Sequence, residues 1–134
     1  ILSGDSYFIK EIKYLKRILD ALSEDKLVIC VIDEILRGTN TQERIAASKA
    51  IMEYLAHHNC IAIVASHDKE LTELEKTGYD NYHFSEEFGE EDIVFDYKLQ
   101  KGPANSQNAI RLLSFTGFPE TIIERAENIR SEYR

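Results

Sequence analysis

The sequence predicts an α/β fold in which two parallel central strands are followed by an antiparallel hairpin and C-terminal helices. Two continuous apolar runs, residues 27–32 and 60–65, are rich in β-branched residues, as is typical of strands covered on both faces of a parallel sheet. The segment between them is long enough for a crossover helix, so we expect the strands to be parallel neighbours. At 134 residues with 43% apolar content, the chain can bury one hydrophobic core.

Helices are predicted before and between these strands. Apolar residues recur at three- and four-residue steps over residues 6–22, which predicts an amphipathic first helix with Asp5 or Ser6 as its cap. Thr41 is expected to cap a second helix that runs to about His57. A short helix follows the second strand.

In the second half of the chain, the residue pattern predicts a hairpin followed by two C-terminal helices. Apolar and polar residues alternate over residues 93–99, and residues 82–88 are expected to pair with them across an acidic, solvated turn. One helix is expected at about residues 106–115 and another after Gly117. The last helix carries an apolar stripe that needs a partner surface, formed by Ile122, Ala126, Ile129 and Tyr133.

Two adjacent carboxylates, Asp33 and Glu34, stand directly after the first strand. A carboxylate at the end of a parallel strand can hold Mg²⁺ on a nucleotide's phosphates, while its neighbour orients or deprotonates the attacking water. His67 leaves the second strand at the corresponding edge, where it can donate a hydrogen bond to phosphate or water. These residues predict half of a nucleotide-hydrolysing site. Two alternatives remain. Asp33 and Glu34 could mark an ordinary transition from strand to loop, and His67 could simply be the neighbour of Asp68, which would cap the next helix.

The other half of such a site is absent from the sequence. No G-x-x-x-x-G-K-[ST] segment occurs, and that loop supplies the backbone amides and the lysine that hold the phosphates. The chain begins at Ile1 and its only methionine is Met52, so we expect it to be part of a longer protein. The pattern therefore suggests an ATPase whose phosphate-binding half lies outside this chain.

Composition argues against several other classes of protein. A net charge of −8 disfavours nucleic-acid binding by this chain alone, because neutralising phosphates needs clustered lysine and arginine. Cys30 and Cys60 lie within the predicted strands, and buried thiols without a signal peptide indicate a reducing, cytoplasmic location. The longest apolar run is too short to cross a bilayer, so no membrane contact is expected.

His57, His58 and Cys60 have a superficial likeness to metal ligands. Adjacent residues of a helix diverge by about 100°, and no fourth ligand is spaced nearby. We therefore expect these histidines to mark the C-terminus of a helix, where their charge is favourable.

Taken in order, the motifs resemble the C-terminal ATPase domain of the MutS mismatch-repair family. The resemblance rests on three motifs and two later segments: Ser3-Gly4-x-Ser6-x-Phe8, Asp33-Glu34-Ile35-x-Arg37-Gly38-Thr39-x-Thr41, Ser66-His67, Lys101-Gly102-Pro103-Ala104 and Gly117-Phe118-Pro119. It covers nearly all of the chain. It implies part of a P-loop ATPase sheet of the ABC type over residues 1–116 and a dimerisation helix over residues 117–134.

The resemblance implies catalytic roles for three residues. Asp33 would be the Walker B carboxylate that acts through Mg²⁺. Glu34 would be the general base or water-orienting group, and His67 would sense the γ-phosphate of ATP.

The resemblance also implies a nucleotide site shared between two subunits of a homodimer. Ser6 would belong to the signature loop that completes the partner's site, and the loop along the interface would include Thr39, Asn40 and Thr41. The implied protein couples Mg²⁺-dependent ATP hydrolysis to DNA mismatch binding and repair, and it contacts DNA through segments outside this chain.

Three departures from the family pattern make the chain similar to a divergent MutS-like paralogue. Leu36 stands where mismatch-recognising members usually have glycine, residues 42–44 replace a more glycine-containing continuation, and Asp68 replaces an aromatic residue. Two alternatives remain open. One is an ABC-type ATPase outside DNA repair, and the other is a dimerisation module with a decayed site.

Overall fold

The computed structural model describes residues 7–90, 92–104 and 108–133, and within them the chain has an α/β fold with small parallel and antiparallel sheets. Two units divide the chain, the first ending at Asn81 and the second beginning at Tyr82. Across the described ranges, no helix is both long and apolar enough to span a membrane.

The first unit contains two parallel strands, the helices around them and a 3₁₀ helix. Its elements are α1 (Tyr7–Ala21), β1 (Val28–Asp33), α2 (Thr41–Ala56), β2 (Cys60–Ala65) and the 3₁₀ helix (Lys69–Thr77). The predicted extents of these helices and strands agree with the structure to within two residues. The predicted caps of α1, Asp5 and Ser6, lie outside the described residues.

β1 and β2 pair in parallel, as predicted, and α2 connects them. Val28 lies opposite Cys60, and Asp33 lies opposite Ala65. The Glu34 N–H donates to the Ala65 carbonyl at 2.8 Å, which extends the ladder one residue past the end of β1. The segments that follow the two strands therefore leave the sheet at the same level.

The core of the first unit lies on one face of this sheet. The buried apolar residues are Leu15, Cys30, Ile32, Ile35, Leu36, Met52, Leu55, Leu71 and Leu74. The opposite face is open, and its side chains have exposed fractions from 50% to 72%: Ile29, Val31, Ile61 and Ile63. Among the described residues, therefore, only one of the two faces predicted to be covered packs into a core.

The N-cap of α2 is Asn40, so the prediction of Thr41 as the cap is wrong by one residue. Asn40 Oδ1 accepts a hydrogen bond from the Glu43 N–H at 3.0 Å, and Asn40 Nδ2 donates to Glu43 Oε2 at 3.1 Å. This reciprocal arrangement satisfies a helix-terminal N–H that would otherwise lack a partner. Thr41 is the first residue of the helix.

The second unit contains four short strands and two helices within its described residues. They are β3 (Tyr82–His83), β4 (Glu86–Phe88), β5 (Ile93–Phe95), β6 (Gln100–Lys101), α3 (Ala109–Phe115) and α4 (Glu120–Glu132). β4 pairs with β5 and β3 with β6, both antiparallel.

The predicted hairpin is confirmed for residues 86–88 and 93–95, but residues 82–83 pair with residues 100–101, beyond the predicted strand, in a second ladder. The break lies at Tyr97, which has a positive φ of 55°, next to a turn in which Asp96 Oδ1 accepts from the Lys98 N–H at 3.0 Å. Alternation of apolar residues cannot reveal such a turn. In this unit the Phe88 ring packs against Phe115, with their centroids 5.1 Å apart.

Leu36 lies in the loop after β1 and combines backbone strain with burial. Its φ is 56°, a left-handed conformation that costs a residue with a Cβ about 1–2 kcal/mol. Its side chain is only 4% exposed, and burying a leucine contributes about 1.5–3 kcal/mol. Because burial offsets the strain, a leucine can occupy a position whose backbone favours glycine.

Substitutions at Leu36 should reverse the usual order of alanine and glycine. Leu36→Ala loses the buried side chain and keeps the strain, so the free energy of unfolding should fall by about 2–4 kcal/mol. Leu36→Gly loses the same side chain but also relieves the backbone strain. Its free energy of unfolding should therefore equal that of Leu36→Ala or exceed it by up to about 1 kcal/mol. Denaturant titration measures both, with Ala47→Gly in α2 as the control for the ordinary cost of glycine. If Leu36→Gly were about 1 kcal/mol less stable than Leu36→Ala, the proposed backbone strain at Leu36 would be contradicted.

Ser48, in the middle of α2, is fully buried, and its Oγ has no hydrogen-bond partner among the described residues. Ser48→Ala removes an unsatisfied hydroxyl and improves helix propensity, so it should raise the free energy of unfolding by about 1 kcal/mol. Thermal and denaturant unfolding test this. The control, Ala47→Ser on the exposed side of α2, should cost about 0.5 kcal/mol through propensity alone. Destabilisation by Ser48→Ala would mean that the hydroxyl has a partner.

Candidate active site

The parallel register brings the two predicted acid–base motifs together at one end of the sheet. His67 Nε2 lies 3.1 Å from Glu34 Oε1, and Arg37 Nη1 lies 3.6 Å from Glu34 Oε2. The Glu34 side chain is 37% exposed and that of His67 is 93% exposed. The Glu34 carboxylate is therefore held between an imidazole and a guanidinium while it stays accessible to water.

The backbone at Glu34 is also constrained. Its φ is 58°, which is unusual for a residue other than glycine, and its N–H is bonded to the end of β2. Strained conformations of this kind persist where the surrounding structure holds them, and they are frequent at functional sites.

Asp33 presents an exposed side chain at the end of β1. A cleft of about 470 Å³ opens beside it, with Tyr7, Tyr14, Val31 and Arg37 among its lining residues. Within residues 7–90, 92–104 and 108–133, no group of three or more histidine, cysteine or acidic side chains could enclose a metal. An oxygen donor of this kind fits Mg²⁺, which is usually held by one or two carboxylates, phosphates and water.

Arg37 connects the acid pair to α1, a contact that the sequence pattern did not predict. Its guanidinium lies over the Tyr7 ring, 5.3 Å from the centroid, and donates to the Tyr7 hydroxyl. The Tyr7 side chain, and after it Glu34, raises the pKa of Arg37, so this residue keeps its positive charge. Arg37 lies within a recognised motif, but its partner is 30 positions away and only the fold brings them together.

Gly38 allows the loop after β1 to approach α1 closely. A Cβ at this position would lie 2.8 Å from Phe8 Cβ and 3.2 Å from Phe8 Cα, closer than side chains tolerate. Glycine is therefore required for this close approach of loop and helix.

The remaining predicted site residues lie along the start of α2 or outside the described chain. The Thr39 hydroxyl is 3.5 Å from Glu43 Oε2, Asn40 caps α2, and Thr41 is exposed. Ser6 lies outside the described residues. The structure thus brings Glu34, the residue after Asp33, into contact with His67, while Thr39 and Asn40 turn towards Glu43.

Asp68 occupies the N-cap position of the 3₁₀ helix, but its side chain does not cap that helix. Its carboxylate instead accepts two hydrogen bonds from Arg44, at 2.7 and 2.8 Å. The hydrogen bonds from the Arg44 guanidinium lower the pKa of the Asp68 carboxyl below its ordinary value. This pair was also missed, since its members are 24 positions apart and belong to different elements.

The cysteines and the adjacent histidines lie in separate environments. Cys30 Sγ and Cys60 Sγ are 3.9 Å apart as free thiols, and burial raises the pKa of Cys30 to about 11. His57 is the C-cap of α2, and the His58 ring stacks on Tyr54 with centroids 4.2 Å apart. The prediction of a helix C-terminus at these histidines is confirmed.

The sequence of this chain matches one protein family along its whole length. Residues 1–134 match the family model described as MutS domain V. DNA mismatch repair protein MutS 2 from Haloarcula marismortui is 33% identical over 135 residues, which cover 98% of this chain and 14% of that protein. DNA mismatch repair protein MutS from Aquifex pyrophilus is 36% identical over 132 residues, covering 96% of this chain and 15% of its own length.

DNA mismatch repair protein MutS from Listeria monocytogenes is 36% identical over 135 residues, again covering 96% of this chain and 15% of the relative. The chain thus spans about 15% of the length of these relatives. The resemblance suggested by the motifs around Asp33, Glu34 and His67 is confirmed over nearly every residue of the chain. The chain belongs to the MutS family and corresponds to its domain V.

Proposed function

We propose that this chain supplies the metal-binding and water-orienting half of a Mg²⁺-dependent ATPase site. The protein that contains it would couple ATP hydrolysis to the binding and repair of mismatched DNA. The observation that carries the proposal is the 3.1 Å contact between Glu34 and His67 beside the exposed carboxylate of Asp33. The names of the relatives, which are DNA mismatch repair proteins, support the role in repair.

Each of the three side chains would have one task. Asp33 would hold Mg²⁺ at the phosphates, where the bound cation would neutralise charge that develops during phosphoryl transfer. Glu34 would orient the attacking water and accept its proton, and His67 would donate a hydrogen bond to the phosphate or the water. Because His67 and Arg37 contact different oxygens of Glu34, they would hold the carboxylate in place before a water binds.

The phosphate-binding half of the site would come from a segment outside these 134 residues, because they contain no G-x-x-x-x-G-K-[ST] loop. The open apolar face of β1 and β2 supports this view. Ile29 and Val31 on β1, with Ile61 and Ile63 on β2, form a surface of the kind that further elements of an ABC-type P-loop ATPase domain would cover.

The site would be shared between two subunits. Ser6 would complete the partner's site, and the loop at Thr39, Asn40 and Thr41 would lie along the interface. Residues 117–134 would form the dimerisation helix, which is supported by the exposure of Ile122 on α4 and of Tyr133 at its C-terminal end. DNA contacts would come from other segments, since the net charge of −8 disfavours phosphate binding by this chain.

Glu34→Gln tests the proposed base in the full-length protein. Glutamine keeps the shape of the side chain but lacks the basic oxygen, so ATP binding should persist while hydrolysis slows by on the order of a hundredfold or more. Single-turnover hydrolysis and equilibrium nucleotide binding separate the two effects. The matched control is Glu53→Gln, at an exposed glutamate of α2, which should leave both unchanged.

Unchanged hydrolysis in Glu34→Gln would remove Glu34 from this role. The 134-residue chain alone should hydrolyse almost no ATP, because positioning and charge neutralisation by the phosphate-binding loop are missing. Hydrolysis by the chain alone at the rate of the full-length protein would contradict the proposal of a divided site.

A further inference from the structure

The loop that carries His67 is anchored to α2 by an ion pair. Arg44, in the first turn of α2, donates from Nε to Asp68 Oδ2 at 2.8 Å and from Nη2 to Asp68 Oδ1 at 2.7 Å. The exposed fractions of the two side chains are only 21% and 14%. A bidentate pair of this kind fixes orientation as well as distance, because the planar guanidinium matches both carboxylate oxygens.

The backbone of Asp68 is held as well. Its N–H donates to Ser66 Oγ at 3.0 Å, and its carbonyl accepts from the Leu71 N–H at 3.0 Å. His67 lies between these bonded residues with an almost fully exposed side chain. Within the described residues, the His67 ring makes a single polar contact, which is with Glu34. The direction of the imidazole therefore depends on how the residues on either side of it are held.

The ion pair also links the two segments that leave the parallel strands. Arg44 lies in the first turn of α2, which follows directly on the loop after Glu34, and the Arg44 N–H donates to the Asn40 carbonyl at 2.9 Å. Asp68 follows the end of β2. The pair thus connects the loop of the acid pair with the loop of the histidine.

We propose that Arg44 and Asp68 are positioning residues that hold the His67 imidazole against Glu34. This inference rests on the proposed function, since it assigns the ion pair to the same site. Neither residue is a catalytic group, because Asp68 is fully engaged by Arg44 and both act through His67.

The chain offers a matched control pair between the same two elements. Lys49 Nζ in α2 donates to Glu73 Oε2 in the 3₁₀ helix at 2.8 Å, farther along both helices from His67. Lys49→Gln therefore removes an ion pair between α2 and the 3₁₀ helix without loosening the residues that flank His67.

The first measurement is hydrogen exchange by mass spectrometry on the full-length protein without nucleotide. Arg44→Gln and Asp68→Asn should each speed exchange of the Asp68 and Leu71 amides on the order of tenfold, because a charge-assisted bond no longer resists local opening. The double variant should exchange no faster than the faster single variant, since both substitutions break one pair. Lys49→Gln should leave these two amides unchanged. If exchange were unaltered in both Arg44→Gln and Asp68→Asn, the ion pair would not hold the loop that carries His67, and the proposal would be wrong.

The second measurement is single-turnover ATP hydrolysis by the full-length protein, normalised to the nucleotide bound per chain. Arg44→Gln should slow hydrolysis on the order of tenfold, with ATP affinity changed by less than about twofold, because misplacement of a catalytic group affects the chemical step. In a His67→Ala background, Arg44→Gln should cause no further loss. Lys49→Gln should have the same small effect in both backgrounds.

The outcomes separate this inference from the proposed function. If His67→Ala slows hydrolysis but Arg44→Gln does not, or if Arg44→Gln slows the His67→Ala protein as strongly as the wild type, the positioning role is wrong. If His67→Ala hydrolyses ATP at the wild-type rate, the proposed function of His67 fails, and the positioning role fails with it.

Discussion

The in-register parallel pairing of β1 and β2 is the constraint on which the candidate site depends. Asp33 lies opposite Ala65, so the residues after each strand emerge side by side. A slip of one residue would turn the side chains of a strand to the opposite face and move Cys30 and Ile32 from the core into solvent. The burial that stabilises the core therefore also maintains the short distance between Glu34 and His67.

The segments that leave the strands are held by contacts with the flanking helices. Gly38 lets the first loop lie against α1, and Arg44 ties the second loop to α2. Leu36 is accommodated in the first loop because its burial offsets the strain of a positive φ. The ion pair between Arg44 and Asp68 connects the start of α2 with the segment that follows β2.

Local patterns predicted the elements of the fold, and long-range contacts account for what they missed. Periodicity located α1, α2, β1 and β2, because burial of one helix face or strand leaves a regular trace in the sequence. It could not choose between neighbouring polar residues as the N-cap, so Thr41 was predicted where Asn40 acts. The contacts of Arg37 and Arg44 were also missed, since their partners are 30 and 24 positions away. The placement of Glu34 and His67 at the same end of the sheet was predictable because polar residues stand directly after each apolar run.

Iron-mediated cleavage of the full-length protein tests most directly whether the two strand ends form one metal–nucleotide site. Fe²⁺ replaces Mg²⁺ in the presence of ATP, and ascorbate with peroxide then produces radicals that cut the backbone beside the metal. If the two strand ends form one site, cuts should appear near both Asp33 and His67, and excess Mg²⁺ should protect the two positions together. Cleavage near only one of these strand ends, or near neither, would contradict a site built on the parallel pair.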